Sequence, residues 1–399
     1  MARKTVLYQS LGDRLTQWDV DVDAATLEPR ASIAMPSNVQ YVWPHPSRKF
    51  LYVSTSDAAS GNEPNAGKVH RLCALRIDAS GALALHGEPA ALPQRPIHHS
   101  VDGAGQFALT CYNKISDLSV HRINADGTVG AEVRQAAKLD LGIFAHQIIP
   151  TPANRSVIMV TRGNRPENGK AEDPGALKIF GFKDGQLSPL ADLPVGGRGG
   201  LGDGPRHLDF HPAKPWAYVS VESQNELHMH RVEGDSLTPE PLYMKRSTVG
   251  TYDIHFPQAA GAIHVHPDGR AVYLSNRANA AVAVDGSKVF RGGENNIAVF
   301  AIDPATGEPT LIQNADPQSF HVRTFSIDPS GRIMVAASIE AINVRDGDKI
   351  RCVPAALTVF RIDAAGKLTF ARKYDVELAG KLQWWTGLVG LAEVPRARA

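Results

Sequence analysis

The chain has 399 residues, of which 43% are hydrophobic and 21% are charged, an ordinary balance for a soluble globular protein. Its 42 lysines and arginines nearly cancel its 41 aspartates and glutamates, so it lacks the basic excess of nucleic-acid-binding proteins. No stretch approaches the about 18 apolar residues of a membrane span, and the amino-terminal segment lacks the apolar run of a signal peptide. We therefore expect a protein that binds neither nucleic acid nor membrane.

The three cysteines, Cys73, Cys111 and Cys352, lie far apart in the sequence. Their odd number and wide spacing argue against a disulfide framework and against a clustered thiolate metal site. Reduced thiols of this kind suit a cytosolic protein. We expect a cytoplasmic location, and we expect neither a metal nor another cofactor.

Short strands of alternating polarity, each followed by a polar turn, recur along the chain. Seven such segments, which we term tail strands, lie at 15–21, 72–78, 118–124, 177–183, 227–233, 297–303 and 357–363. A second unit, termed a head unit, consists of two strands around a turn centred on proline or glycine. Six head units precede tail strands, at 42–54, 98–110, 146–160, 206–220, 263–275 and 323–338.

The first tail strand lies too near the amino terminus to have a head unit of its own. We predict that a strand from the far end of the sequence, within 387–394, supplies the missing piece. Repeated units of about four strands are typical of propeller blades. The prediction is an all-β, seven-bladed β-propeller forming one domain over residues 1–399, with its ring closed by strands from both ends so that no sheet edge is left free. Two β-sandwiches are the alternative, which the even run of tail strands without a linker disfavours.

The innermost strands of a propeller line a central channel, and here the head units carry basic residues. These are His98, His99, His146, Arg206, His207, His264, His266, His321 and Arg323. Histidine suits proton transfer near neutral pH, and arginine holds a carboxylate or phosphate through two hydrogen bonds. Taken singly, a histidine beside a turn is more often structural, which we expect for His45, His211 and His266. His264 and His266 share a strand face, as metal binding permits, but no recognised zinc-binding spacing is present.

Several segments resemble one known family. "GPRHLDFHP" (204–212), "AYVSVESQNEL" (217–227) and "AVYLSNRANAAVAV" (271–284) are similar to the seven-bladed propeller lactonases. That family includes bacterial 6-phosphogluconolactonases of the propeller type and fungal 3-carboxy-cis,cis-muconate lactonizing enzymes. "HHSVDGAGQFALTCYN" (98–113), with Tyr112-Asn113 in altered order, and "AHQIIPTP" (145–152) support the resemblance, which covers nearly the whole chain.

The resemblance implies an enzyme whose active residues are a histidine, two arginines and a glutamate. Matched by motif, these roles fall on His146, Arg206, Arg277 and Glu222. The substrate it implies is a small anionic or sugar-acid lactone, as in a 6-phosphogluconolactonase. Further substrate contacts are expected from His98, His207 and Arg162, although strand alternation predicts that His207 faces away from Arg206.

In the mechanism we expect, Arg206 and Arg277 stabilise the negative charge that develops as the lactone opens. His146 or Glu222 acts as general base on water and then protonates the leaving alkoxide. Cyclisation by a carboxylate needs the same groups, so a muconate-type cycloisomerase is one alternative, and a propeller that binds without catalysis is another. For Arg206 and Glu222, an ion pair that staples one blade is the structural alternative. The sequence does not indicate an oligomeric state.

Two segments depart from the family pattern. Thr161-Arg162-Gly163 stands where the family tends to have Asp-Leu-Gly, and residues 337–340, Ala-Ser-Ile-Glu, stand where it usually has Ala-Asn-Gln. We expect both departures to lie near the mouth of the channel.

Overall fold

The computed structural model describes residues 4–58, 67–167, 169–196, 198–202, 204–250 and 257–392. The backbone in these ranges forms 34 strands and no helix. Accordingly, these ranges contain no helix of the length and apolarity that crossing a membrane requires.

Within the described ranges, seven antiparallel sheets of four or five strands form the blades of a propeller, so the predicted fold is confirmed. The chain begins with the three outer strands of blade 7: β1 (Thr5–Leu11), β2 (Arg14–Asp21) and β3 (Thr26–Ala34). Blade 1 follows, from the inside outward, with β4 (Asn38–Pro44), β5 (Phe50–Ser56), β6 (His70–Ile77), β7 (Leu83–Leu85) and the short β8 (Ala90–Ala91). Blade 2 contains β9 (Pro96–Val101), β10 (Phe107–Tyr112), β11 (Asp117–Ile123) and β12 (Val129–Glu132). Blade 3 contains β13 (Ala145–Pro150), β14 (Ser156–Thr161), β15 (Ala176–Lys183) and β16 (Gln186–Pro194).

The next three blades follow the same order, and two of them carry an inserted hairpin between their second and third strands. Blade 4 contains β17 (Pro205–Phe210), β18 (Trp216–Val221), β19 (Glu226–Glu233), β20 (Ser236–Leu237) and β21 (Tyr243–Arg246). Blade 5 contains β22 (Gln258–Val265), β23 (Ala271–Ala278), the hairpin β24 (Ala281–Val284) and β25 (Ser287–Phe290), then β26 (Asn296–Ile302) and β27 (Pro309–Ala315). Blade 6 contains β28 (Val322–Ile327), β29 (Ile333–Ser338), the hairpin β30 (Ile342–Asp346) and β31 (Lys349–Val353), then β32 (Ala355–Ile362) and β33 (Leu368–Val376).

The last strand, β34 (Thr386–Gly390), closes the ring. It pairs antiparallel with β1, with Val389 opposite Val6, and so becomes the innermost strand of blade 7. This confirms the predicted closure for the described part of 387–394; residues 393 and 394 lie outside the described residues. The predicted domain limits, 1–399, likewise extend beyond them and stay a prediction.

The repeated units of the sequence correspond to the blades of the propeller. The tail strands are the third strands of the seven blades, because each head unit supplies the first two. Seven buried apolar clusters in the described residues lie between neighbouring blades. Burial of this apolar surface is the main force that holds one blade against the next.

Repeated polar contacts fix the spacing between blades. On the second strand of four blades, Tyr8, Tyr52, Tyr218 and Tyr273 each donate a hydrogen bond of 2.7–2.9 Å to a glycine carbonyl in the next blade. The histidines expected to be structural behave in a similar way. His45 and His266 each reach a glycine carbonyl of the following blade, at 3.0 and 2.9 Å, and the ring of His211 packs against the corresponding glycine, Gly269.

Six of the seven inner strands contain a β-bulge. In each, one extra residue interrupts the register with the second strand of the blade. The extra residue is His146 in β13, Arg206 in β17 and Arg323 in β28. A bulge re-aims the side chain of the extra residue, so the fold presents three basic side chains at equivalent positions around the channel.

Candidate active site

Two cavities open on the central channel. The larger, about 1260 Å³, is lined by residues where inner strands begin, and we term it the arginine cavity because Arg162, Arg206 and Arg277 line it together with Glu222, Asn279 and His321. The smaller, about 470 Å³, is lined by residues where inner strands end, and we term it the aromatic cavity because Tyr41, Trp43 and Phe325 line it together with His207, Asp209 and His264.

Glu222 is the centre of the arginine cavity. It follows β18 directly, and its Oε2 accepts hydrogen bonds from Arg206 Nη1 at 2.5 Å and from Arg277 Nη2 at 3.3 Å. Its Oε1 lies 3.4 Å from Nη1 of Arg162. The three arginines come from blades 3, 4 and 5, so this is a junction of three blades, whereas the staple alternative considered only the pair within blade 4.

The local backbone explains how these charges meet. Arg206 occupies the bulge of β17, and Arg277 is the next-to-last residue of β23. The guanidinium of Arg277 also donates to the carbonyl of Ala260, at 3.1 Å. It passes so close to Gly261 that a Cβ there would lie 2.7 Å from Arg277 Nε, closer than real Cβ contacts allow. Arg162 reaches Glu222 from the loop after β14, with its guanidinium carbon 3.8 Å from the ring centre of Phe144.

The charges at this junction fix the ionisation of Glu222. Burial favours the neutral carboxylic acid, but Arg206, Arg162 and Arg277 outweigh burial and hold the pKa of Glu222 well below its usual value. Burial, together with repulsion from Arg206, lowers the pKa of Arg277 to about 9, and Glu222 opposes this change. At neutral pH the carboxylate is therefore ionised and Arg277 is charged.

More positive charge lies beside this junction. Arg323, the bulge residue of β28, has its guanidinium carbon 3.6 Å from the ring centre of Trp384. Burial, with repulsion from Arg206, Arg277 and Arg95, lowers the pKa of Arg323 well below its usual value. Burial also lowers the pKa of Arg95 to about 10, and none of its side-chain nitrogens has a hydrogen-bond acceptor in the described part of the chain. One shared carboxylate thus faces an excess of guanidinium groups, and an anion bound here is stabilised.

His146 lies deeper than its assigned role requires. It is 5% exposed, and it lines neither of the two cavities. Its ring packs at 5.0 Å from that of His207 and at 6.4 Å from that of Phe144. Burial, together with the charges of Arg206, His207 and Arg323, lowers its pKa well below the usual value, so the imidazole is neutral.

The other residues expected to bind substrate divide between the two cavities. Arg162 joins the arginine cavity. His207 lines the aromatic cavity, in agreement with the prediction that it faces away from Arg206. His98 is fully buried, with its ring 4.1 Å from that of Tyr41 and 5.7 Å from that of His207. The structure therefore brings Arg162, but neither His98 nor His207, to Glu222.

His321, in the wall of the arginine cavity, and its neighbour Glu340 were not assigned a role from the sequence. His321, just before β28, lines the cavity, and its Nδ1 lies 3.0 Å from Oε1 of Glu340. The same oxygen accepts a hydrogen bond from Asn279 Nδ2 at 2.8 Å. A signal was present, since His321 belongs to the basic set of the inner strands and Glu340 to a segment that departs from the family pattern. Sequence alone did not show that the two side chains meet.

Metal binding has no support among the described residues. They contain no group of three or more His, Cys, Asp or Glu side chains arranged to hold a metal ion. His264 lies 3.7 Å from Asp209 in the aromatic cavity, whereas His266 contacts Asp268 and a neighbouring blade. His264 and His266 therefore lie in different environments.

Comparison with known proteins identifies relatives over most of the chain. Residues 7–345 match the family model described as "Lactonase, 7-bladed beta-propeller". The 6-phosphogluconolactonase of Bacillus subtilis (strain 168) is 25% identical over 359 residues, covering 86% of this chain and 90% of that protein. The 6-phosphogluconolactonase of Serratia proteamaculans (strain 568) is 27% identical over 369 residues, covering 92% and 93%. A solved structure, the periplasmic gluconolactonase of Pseudomonas aeruginosa, shares the fold with a TM-score of 0.74 and 20% identity, covering 97% of this chain and 99% of that one.

Proposed function

This chain belongs to the seven-bladed β-propeller lactonase family, and we propose that it hydrolyses a small anionic lactone in the arginine cavity. Its relatives are lactone hydrolases, and the protein is an enzyme of the carboxylic ester hydrolase class. The substrate class in this proposal is a sugar-acid lactone like the one named for the Bacillus and Serratia relatives.

One observation carries the proposal. Glu222 is shared by Arg162, Arg206 and Arg277 from three blades, and Arg323 adds a further charge next to them. Four guanidinium groups around one carboxylate leave a formal charge of +3. Such an excess, mostly withdrawn from water, favours a ligand that brings its own negative charge.

The arginines have two tasks in the proposed reaction. They bind the anionic group of the substrate, and they stabilise the oxyanion that forms when water adds to the lactone carbonyl. Because the groups are fixed before the substrate arrives, little reorganisation is needed as the charge develops. Glu222 is too weakly basic to take a proton from water, since its pKa lies well below the usual value. Its proposed role is to hold the guanidiniums in place.

The experiment that tests this function measures acid release with a pH indicator. The panel contains glucono-, galactono- and 6-phosphogluconolactone together with muconolactones, and wild type is compared with Arg206→Ala. The matched control is Asp209→Asn, which alters the aromatic cavity and leaves the arginine cavity intact. We expect turnover of an anionic lactone by wild type and by the control, and a loss of about 10²–10³-fold in Arg206→Ala.

Three other outcomes would contradict the proposal. Equal activity in Arg206→Ala would remove the arginine cavity as the reaction site. If wild type opens no lactone but cyclises an open muconate diacid, the protein is a cycloisomerase. If it does neither, yet binds sugar acids, the propeller acts as a binding module.

A further inference from the structure

We propose that His321 and Glu340 form the general-base dyad of the arginine cavity, with His321 accepting the proton of the attacking water. This inference rests on the lactone hydrolysis proposed above, and it adds the proton acceptor that Arg206, Arg277 and Glu222 do not provide.

The hydrogen bond between the two side chains fixes the tautomer of His321. Glu340 Oε1 lies 3.0 Å from Nδ1, and an ionised carboxylate can only accept a hydrogen bond. Nδ1 therefore carries the proton, and Nε2 has a free lone pair. Nε2 has no hydrogen-bond partner in the described ranges and is not among their buried unpaired atoms, so it is open to the cavity that His321 lines. A neutral imidazole held by a carboxylate, with its other nitrogen free, is the arrangement that a general base needs.

The backbone holds the imidazole in this position. His321 has a φ of 55°, in the left-handed region that residues other than glycine adopt at a cost. Its N–H donates to Asn295 Oδ1 at 2.7 Å, and its carbonyl accepts from the N–H of Ile339 at 3.2 Å. These two hydrogen bonds hold His321 in an unfavourable backbone conformation. Residues held in this way are common at functional sites. Glu340 is fixed in its turn by Asn279 from blade 5.

Burial and the nearby arginine charges keep His321 unprotonated at neutral pH. Burial lowers its pKa, the bond to Glu340 acts in the opposite direction, and the charges of Arg277 and Arg323 lower it further. The bond from His321, followed by that from Asn279, holds the pKa of Glu340 below its usual value. At neutral pH the imidazole is therefore a free base beside an ionised Glu340.

The two groups considered from the sequence are less suitable. Glu222 is bound by three arginines, and His146 is buried away from both cavities. In the described part of the arginine cavity, His321 is the histidine that lines the wall. It also lies near Arg277, whose charge lowers its pKa, so base and oxyanion stabiliser act on the same substrate.

Nε2 of His321 takes one proton from water while the water oxygen bonds to the lactone carbonyl carbon, and the carbonyl oxygen becomes an oxyanion facing the arginines. The oxyanion collapses, the ring C–O bond breaks, and the leaving alkoxide takes the proton from Nε2. The product is the open hydroxy acid, which releases its carboxylic proton to solvent. Glu340 keeps its charge throughout and acts as a positioning residue.

The test uses a pH-stat, which records acid release from the best lactone of the panel between pH 5 and 7.5. For wild type we expect kcat/KM to fall as the pH decreases below an apparent pKa under 6.5, since the base must be unprotonated. His321→Gln should lower kcat by about 10²–10⁴-fold and abolish this acidic limb. His86→Gln is the matched control, because His86 bonds to the Asp126 carbonyl on an outer strand turn, away from both cavities.

Glu340→Gln separates positioning from a merely structural role. Since Glu340 raises the pKa of His321, its loss should move the acidic limb to lower pH and reduce kcat with little change in KM. Glu340→Asp should restore part of kcat. If His321→Gln does not fold, two other measurements test the dyad. One is the shift of the acidic limb in Glu340→Gln. The other is the ¹⁵N chemical shifts of the wild-type imidazole, which report whether Nδ1 carries the proton.

The outcomes are distinguishable. Wild-type turnover with kcat and the acidic limb unchanged in His321→Gln would overturn the dyad and leave the proposed function standing. An unmoved acidic limb in Glu340→Gln, or an imidazole protonated on Nε2, would also overturn it. If wild type opens no lactone, the proposed function fails and the dyad fails with it.

Discussion

The two ends of the channel are built from the same seven inner strands, yet they differ in chemistry. On β17 the adjacent residues Arg206 and His207 line different cavities, with the arginine at the bulge and the histidine after it. The arginine cavity collects charge around Glu222. The aromatic cavity has aromatic rings and the neutral imidazole of His207, because burial and the nearby Arg206 lower the pKa of His207 well below its usual value. The two ends of a symmetric scaffold thus differ in chemistry because of the residues placed at and beside its bulges.

The largest expected difference between the cavities is in turnover. Arg277→Ala should lower kcat/KM by about 10²–10³-fold, because it removes a fixed donor to the developing oxyanion. Arg277→Lys should recover only part of this loss, since an ammonium cannot reproduce the planar contacts of a guanidinium. His264→Gln, in the aromatic cavity, is the paired control. If Arg277→Ala and His264→Gln lowered kcat/KM equally with the same lactone, the two cavities would not differ in their contribution to turnover.

The next effect concerns stability. Glu222→Gln leaves buried guanidiniums without their carboxylate, so we expect a loss of about 3 kcal/mol in the free energy of unfolding at pH 7. Inorganic phosphate should raise the Tm of this variant more than that of wild type, because an anion can replace the missing charge. Because its folded pKa is depressed, Glu222 stabilises the protein fully above its unfolded pKa of about 4.3. This contribution decreases as the pH falls below that value and is gone once the pH has passed through the folded pKa.

Denaturant titrations of wild type and Glu222→Gln at pH 7, 4 and 2.5 would check that the contribution of Glu222 to the free energy of unfolding decreases as the pH falls. The control is Glu308→Gln, which breaks a half-exposed pair with Lys245 and should cost less than about 1 kcal/mol. If Glu222→Gln were as stable as wild type at pH 7, the junction would not be a buried charge network.

A pH effect of the same sign, and smaller for each histidine, is expected beneath the arginines. His98, His146 and His207 are neutral in the fold because burial lowers the pKa of each well below 6.5. The unfolded chain binds these protons first, so stability should fall as the pH drops below about 6.5, by about 1.4 kcal/mol per pH unit for each proton. His207→Phe should reduce the slope by one proton between pH 6.5 and 5. A slope that does not change in calorimetry or denaturant unfolding would mean that His207 is charged in the fold.

The smallest effect is expected from Asp209→Asn. Asp209 accepts the N–H of Val265 at 2.8 Å, and the asparagine keeps one acceptor for this bond. Unfolding free energy should change by about 1 kcal/mol, and kcat/KM should stay within about twofold. A tenfold loss of activity in steady-state assays would show that the aromatic cavity takes part in turnover.

The repeating part of the structure could be predicted from the sequence. Alternation within each tail strand and the proline or glycine of each head unit are local signals, and they specified the blades and the closing strand within 387–394. The resemblance also brought Arg206, Glu222 and Arg277 together as one set, and the structure places these three in contact. The catalytic roles assigned to them stay predictions.

Other features of the site depend on three-dimensional geometry that leaves no local pattern in the sequence. Alternation cannot foresee a bulge, so the depth of His146 was not predictable from its position on an inner strand. The partner of His321 is 19 residues away, just beyond the end of β29, and only the paired strands of blade 6 bring the two residues together. Arg95 comes from a loop whose path no periodic pattern describes.

The pairing of β34 with β1 also has a consequence for biosynthesis. During translation β1 emerges early, but its inner edge has no partner until Thr386–Gly390 have left the ribosome. Ring closure pairs the first strand of the propeller with its last, so it can be completed only after the strands of all seven blades have been synthesised. In the meantime the open edge of β1 is a template for unwanted strand addition. Chaperone binding to the nascent protein should therefore persist until the final strand is released.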